Sequence, residues 1–532
     1  MIGIPGFIEQ IPGRGISLQR PGVIRWPWIL ENEKYSFGWL SRRCSRRILR
    51  YMGDGDRDVN GTDDQLTDRA LVGDSGDRGV GAPPLCGLPP LDGELAVDPL
   101  SRAAAADDFG HHARHYPRAV LHPGSVTDIE VMVRYCRDRR IPVAACGQGH
   151  ATNGQAQAEG GLVIEMGSLR GIEVREDCAE VQAGARWSDV LGVTLAHGRT
   201  PPVLTDYLGL SVGGTLSVGG LGGATHRYGA QVDTVRELEV VTGAGTRVVC
   251  SPQRRADLFH AVLGGLGQCA IITRATVALT PAPPMVRRYE LPYPTIGDLT
   301  ADQRRVVGDG RFDYVEGNAE PAPDGAPGWR YTLEAASYHD GRTEPDDALL
   351  GDLSFERGAE EIEDMTYLDF ADRVAPGVEY LKWTGEWYDP HPWLNLLLPD
   401  TAVDGFTASV MERLTAADIG PSGVVLLYPV PRALLGTPLP RTPDTRLVFL
   451  FALLKTATPG PGVPDADAMI AANRSLYERA RDLGAVRYPV GSVPMSRGDW
   501  EAHFGDQWPV FAAAKRAYDP AGILAPGQGI LA

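Results

Sequence analysis

The chain has 532 residues, 43% of them hydrophobic and 22% charged, with a formal net charge of −17. That length exceeds one ordinary core and predicts two or three globular lobes. The acidic balance argues against a nucleic-acid partner, which needs a basic face, and no apolar run approaches the roughly 20 residues that span a membrane. The seven cysteines (Cys44, Cys86, Cys136, Cys146, Cys178, Cys250 and Cys269) form no C-x-x-C pair. No metal site or disulfide framework is therefore expected, and a reducing, cytoplasmic location is.

Residues 1–108 differ in composition from the rest. They carry a basic cluster, Arg42-Arg43-Cys44-Ser45-Arg46-Arg47, then an Asp/Gly-rich run from Gly53 to Asp58, then prolines. Such a stretch buries little apolar surface and is expected to be a disordered, dispensable extension. It lacks the ordered regions of a signal peptide. Translation starting later, for example at Met52, is an alternative origin for it.

Folded sequence is expected from Tyr116 onward. Val126, Ile129, Met132, Val133 and Cys136 predict an amphipathic helix, with Ser125 as its cap and Asp128 three residues later. A strand-like run, Ile141–Ala144, leads into the glycine loop Gly147-Gln148-Gly149-His150-Ala151-Thr152-Asn153-Gly154. Glycine allows backbone to approach a ligand closely. His150 in that loop reads as a nucleophile, a ligand or a turn residue. Gly161–Met166 and Glu180–Ala185 predict strands, and Trp187–Leu195 a helix, so the first lobe mixes helices and strands.

Seven of the fifteen residues from Gly209 to Gly223 are Gly. A glycine-dense loop with free amides suits a pyrophosphate; a linker is the alternative, although linkers rarely intersperse Leu, Val and Thr. Glu237–Cys250 predicts a hairpin about a glycine turn. Asp257–Leu263 predicts a helix, and the glycines after it, Gly264, Gly265 and Gly267, lead into a strand ending near Pro281. Glycines placed after the helix are not a dinucleotide fingerprint, which disfavours a nicotinamide cofactor. From Pro284 to Ala485 come strands (Arg330–Glu334, Leu447–Phe451), helices (Asp404–Leu414, Asp465–Leu483) and proline-rich connections. Trp383, Trp387, Tyr388 and Trp393 fall within eleven positions and would suit a planar ligand or an ordinary core.

The His150 loop, Thr205-Asp206-Tyr207-Leu208, Gly213-Gly214-Thr215-Leu216-Ser217 and Gly264-Gly265-Leu266-Gly267-Gln268 occur in this order in flavoproteins of the vanillyl-alcohol oxidase type. Within that group the chain most resembles the cytokinin dehydrogenases. The likeness runs from about Tyr116 to the C-terminus and includes Pro390-His391-Pro392-Trp393-Leu394-Asn395 and Ala525-Pro526-Gly527-Gln528-Gly529-Ile530.

The resemblance implies an α+β fold. An FAD-binding lobe of the PCMH type, with two subdomains, would span 110–283. A substrate-binding lobe with an antiparallel sheet would span 284–485, and a segment returning to the flavin lobe 486–532. It implies FAD, linked once through the His150 ring nitrogen to the flavin 8α-methyl carbon, since Thr205–Ser217 offers no cysteine for a second link. Ala145, Gly147, Gly149, Ala151, Gln155, Asp206, Ser211, Ser217, Leu221, Ile272, Tyr488, Ala525 and Gln528 would line the cofactor, and Trp393 and Asn395 the substrate.

Asp206 is the implied catalytic carboxylate, accepting a hydrogen bond from a substrate amine, and Glu379 a second candidate at the lobe entrance. An Asp capping a turn is the alternative for Asp206. The implied partners are a small-molecule substrate and a small electron acceptor, oxygen or a quinone. The implied activity is oxidation of the alkyl side chain of N6-alkyl adenines. Leu204 stands where relatives carry Trp, Ala151 where they carry Ser, and Val218-Gly219-Gly220-Leu221 where they carry Asn-Ala-Gly-Ile. These departures keep open a second function, an FAD-linked oxidase of a secondary-metabolite pathway acting on an alcohol or a ring-forming intermediate.

Overall fold

The computed structural model describes residues 87–322 and 328–530. Short apolar runs build the first sheet: β1 (Glu94–Ala96), β2 (Ala119–His122), β3 (Val143–Cys146) and β4 (Leu162–Glu165), in the order β1-β2-β4-β3. β2 and β3 run parallel to β4. Their near-continuous burial is what a parallel sheet covered on both faces requires. Helix Val126–Arg139 crosses between β2 and β3 and buries Ile129, Met132, Val133 and Cys136, the predicted stripe.

The predicted cap does not form as expected. Ser125 occupies the cap position, but its hydroxyl makes no cap bond and donates instead to Asp92 Oδ2. The Asp128 carboxylate takes up the free amides of Asp92, Gly93 and Gly124, each at 2.8 Å. A carboxylate accepting three N–H groups satisfies more donors than a capping box would.

The second sheet contains β5 (Ile172–Val174), β6 (Cys178–Gln182), β8 (Val235–Thr242), β9 (Arg247–Cys250) and β10 (Ala270–Ala278), in the order β5-β6-β10-β8-β9, all antiparallel. β7 (Arg199–Thr200) and β11 (Thr280–Pro281) form a two-stranded ribbon beside it. The glycine-dense stretch is only partly a loop. Val212–Val218 is a helix, because Val212, Thr215 and Leu216 recur at helical spacing and bury together. Gly213 permits its close seat, since a Cβ there would lie 2.8 Å from the Ala183 methyl group.

The second lobe is built on one antiparallel sheet. It is made of β12 (Met285–Tyr293), β13 (Tyr314–Pro321), β14 (Trp329–His339), β15 (Glu361–Thr366), β16 (Leu394–Pro399), β17 (Val424–Pro431), β18 (Leu447–Leu454) and β19 (Val486–Arg487). The order is β15-β12-β14-β13-β17-β18-β16-β19. Alternate side chains such as Leu291, Val315, Leu333, Leu396 and Phe451 pack into a core with helices Ile296–Asp309, Asp400–Met411 and Ala466–Asp482. The other face of the sheet, by the period of two, carries Tyr314, Glu316, Glu334, Asn395 and Tyr428. That face bounds the site.

The protein then returns to the first lobe. Trp500, Phe504 and Phe511 join its core, and Leu524 bridges Val143 beside β3. Among the described residues no helix is long and apolar enough to cross a membrane.

The boundary at 108 needs correction. Residues 87–108 include β1, a helix Pro99–Ala105 capped by Asp98, and the buried Ala105, Ala106 and Asp108. β1 pairs with β2, and Arg102 Nε donates to Pro117 O at 2.7 Å. Ala105 and Ala106 are small enough to bury without a longer apolar run, which is why composition concealed them. The remainder of the expected extension, residues 1–86, lies outside the described residues.

Candidate active site

A cavity of about 370 Å³ lies between the loops of the first lobe and the polar face of the large sheet. This is within the usual range of small-molecule sites. Three stretches of the first lobe meet there: the end of β3 with its glycine loop, Thr205–Leu221 with its short helix, and Leu266–Ile272. The return segment supplies Tyr488 and Leu524–Gln528, and the large sheet supplies Asn395, Leu426, Tyr428 and Leu450. The loops close tightly on one another. A Cβ at Gly147 would lie 2.0 Å from Ser211 Oγ and would force that hydroxyl to move.

His150 sits in a group of rings. Phe109 stacks on it at 4.0 Å, and Tyr207, Trp393 and Trp387 lie at 5.2, 5.7 and 5.8 Å. Burial pushes its pKa down to about 4, so the imidazole is neutral at neutral pH. Its loop is anchored on the far side by Thr152, whose Oγ1 donates to Val490 O at 2.8 Å and whose carbonyl accepts from Ser492 Oγ at 2.6 Å.

Asp206 is not a turn cap. Its Oδ1 accepts from Tyr314 OH at 2.6 Å and from Arg373 Nη2 at 2.9 Å. Arg373 also donates to Tyr314 OH and reaches Glu334 at 2.8 Å. The strand register explains the arginines. Glu290 on β12 and Glu316 on β13 lie directly opposite Glu334 on β14, a row of three carboxyl groups across the sheet. Like charges at opposed positions repel. Arg288, bonded to Glu334 at 2.6 Å and Glu290 at 2.7 Å, offsets them from one side and Arg373 from the other. Burial opposes ionisation of Glu334, but Arg288 and Arg373 outweigh it and hold its carboxyl at about 2. Glu316 goes the opposite way: burial, and then the charge of Asp206, push its carboxyl well above the ordinary range.

Residues 117–251 match the family described as "FAD binding domain", and residues 321–531 that described as "Cytokinin dehydrogenase 1, FAD and cytokinin binding". The chain is 44% identical over 440 residues to "Uncharacterized oxidoreductase ORF5 in fasciation locus" of Rhodococcoides fascians, covering 82% of this chain and 99% of that one. It is 36% identical over 489 residues to cytokinin dehydrogenase 10 of Oryza sativa subsp. japonica, covering 82% and 88%. Cytokinin dehydrogenase 3 of Arabidopsis thaliana is 36% identical over 479 residues, covering 82% and 90%. The chain belongs to the cytokinin dehydrogenase-like, PCMH-type FAD-binding oxidoreductases.

The cavity fits FAD on its own features. Gly147, Gly149, Gly213, Gly214 and Gly220 line it and offer backbone to a ligand. Among the described residues, the buried Asn395 Nδ2 on the cavity wall has no hydrogen-bond partner, as expected of a donor that meets a ligand.

His150, Ala145, Gly147, Gly149, Ala151, Gln155, Asp206, Ser211, Ser217, Leu221, Ile272, Tyr488, Ala525, Gln528, Trp393 and Asn395 all line the cavity. Glu379 does not. It is exposed on helix Ala375–Thr384 and pairs with Lys382 at 2.8 Å, an ordinary i,i+3 surface contact. The expected aromatic cluster also divides: Trp387 and Trp393 turn toward His150, while Trp383 and Tyr388 are 71% and 63% exposed. Sequence reasoning missed Tyr314, Glu316 and Glu334, which strand register brings together, Arg373, which reaches them from just after the helix Tyr367–Ala371, and Phe109, which it left at the edge of the extension.

Proposed function

We propose that the protein oxidises the bond between N6 and the alkyl carbon of N6-alkyl adenines, the cytokinin dehydrogenase activity for which its plant relatives are named, with FAD linked covalently through His150. The observation that carries this reading is Asp206, aimed into the same cavity as His150 and held by Tyr314 and Arg373. When bound, FAD supplies the two-electron acceptor. Asp206 accepts a hydrogen bond from the substrate's secondary amine, and its charge stabilises the positive charge that grows on the C–N unit as hydride leaves the adjacent carbon. Water then hydrolyses the imine to adenine and an aldehyde. Trp393 and Asn395 flank the planar base, the first by its ring and the second by its unpaired amide. Oxygen or a quinone would take the electrons onward.

The test is anaerobic mixing with isopentenyladenine while the flavin absorbance is followed. Bleaching within the time of a turnover is expected. A parent protein reduced only by a non-adenine amine or an alcohol would overturn the adenine assignment and leave the flavoprotein standing.

A further inference from the structure

The His150 ring is oriented by rings. Among the described residues, no hydrogen bond joins it to another residue, and the nearest ring is Phe109, stacked face to face at 4.0 Å and 21°. The other face of Phe109 lies on His391, at 3.9 Å and 20°. The three rings form a continuous stack, and the backbone fixes its members relative to one another. Phe109 N donates to Gly149 O at 2.8 Å and Gly110 N to Ala151 O at 3.1 Å, so the two segments are joined on both sides of His150. Asp108 Oδ2 accepts from Gly154 N at 2.7 Å and its Oδ1 from Gly110 N at 3.0 Å. From the substrate lobe, His391 N donates to Gly110 O at 3.1 Å and its Nδ1 bonds Phe109 O at 3.0 Å.

A covalent link demands more of an imidazole than binding does. The nucleophilic nitrogen must be held near the carbon it attacks, and orientation of that kind supplies much of the rate. We infer that Phe109 and His391 are positioning residues for covalent attachment of the flavin, holding the His150 ring edge-on to the cavity while leaving its nitrogens free. The inference rests on the proposed link at His150. In that step His150 forms a bond from its ring nitrogen to the 8α-methyl carbon. One proton leaves the methyl group and one leaves the imidazole. The electron pair of the broken C–H bond stays on the flavin, which is left reduced by two electrons and is reoxidised by dioxygen to give hydrogen peroxide. Burial, which keeps His150 uncharged, makes its lone pair available for this.

The experiment compares the parent with Phe109→Leu, Phe109→Tyr, His391→Phe and His391→Leu, each in the full-length protein. Two quantities are read: total flavin per protein from absorbance, and the fraction remaining with the protein after acid precipitation. Phe109→Leu keeps apolar volume and loses the flat stack. Its total flavin should stay within about twofold of the parent, because the glycine cradle is untouched, while its rate of linkage falls by about tenfold or more. Phe109→Tyr and His391→Phe keep a ring and should link as the parent does; His391→Leu should link slowly.

Linkage at the parent rate in both Leu variants would overturn the inference, as would loss of total flavin in step with linkage, which would make these rings mere packing. If a Phe109 variant does not fold, the His391 pair decides by the same criterion. A parent without acid-stable flavin would overturn the link itself; a linked parent with equally linked Leu variants would overturn only the stack's role.

Discussion

Replacing Asp206 by Asn removes one negative charge at nearly constant shape. In the parent, Oδ1 accepts from Tyr314 OH at 2.6 Å and Arg373 Nη2 at 2.9 Å. An amide oxygen can accept both bonds, at about half the strength of a carboxylate. Arg373 retains Glu334 at 2.8 Å, so no buried cation is left unpaired. The stability loss should therefore be modest, roughly 1–3 kcal/mol, and flavin loading should persist because the amide keeps the shape of the wall and the proposed link is made from His150, on a different loop. The larger effect falls on the chemical step, where the carboxylate faces growing positive charge. The reductive half-reaction should slow by about 10² or more, equivalent to roughly 2.7 kcal/mol, while substrate affinity changes much less. The assay is anaerobic stopped-flow reduction of the flavin at several substrate concentrations, which separates the limiting rate from binding. An Asn variant that is fully loaded with flavin and reduces it at the parent rate would refute the role of Asp206.

Glu316→Gln should behave in the opposite way: burial and the charge of Asp206 favour its protonated form, which an amide nearly matches in shape, so the limiting rate should stay within about threefold, as the same stopped-flow assay checks. Glu379→Ala should change turnover by less than about twofold, since the side chain is exposed and bound only to Lys382. Stability should fall in acid through Glu334. Its folded carboxyl ionises at about 2, below the ordinary 4.5, so its contribution is complete above 4.5 and is lost as pH falls toward 2; thermal melts across that window should show a slope that Glu334→Gln reduces. A protein starting at Asp107 loses β1, the Arg102–Pro117 bond and two amide partners of Asp128. It should melt about 5 °C or more below one starting at Gly87, and equal melting temperatures would return the boundary to 108.

What was legible in the sequence was local. The His150 loop and the Gly209–Gly223 stretch announce themselves by their glycines, and at Gly147 and Gly213 a Cβ would crowd the side chains of Ser211 and Ala183. The apolar stripe of Val126–Arg139 and the strands of the large sheet follow from periods of 3.6 and 2. What was not legible depends on pairing across distance. Glu290, Glu316 and Glu334 are unremarkable charges in sequence, and become neighbours only once β12, β14 and β13 are in register. Arg373 follows Asp372 in a mixed-charge stretch, and nothing local marks it as the partner of a carboxylate 167 positions away. Glu379 failed for the converse reason: an ionisable residue near the expected entrance is common, and only burial separates a site residue from a surface one.

The two side chains proposed to carry the chemistry both belong to the flavin lobe, yet each is held from the substrate lobe. Asp206 is fixed by Tyr314 on β13 and by Arg373, which follows the helix Tyr367–Ala371. His150 is fixed by Phe109, and Phe109 in turn by His391 just before β16. The lobes are therefore coupled through the site itself as well as through apolar contact. A change that shifts the register of β13 against β14 would displace the Glu334–Arg373 bonds and withdraw Arg373 from Asp206, although no residue of the flavin lobe had changed. Likewise, a change at Pro390–Trp393 would reach His150 through two stacked rings. Functional effects of substitutions should map onto these two connections, from β13 and β14 to Asp206 and from His391 to His150, more closely than onto distance from the cavity.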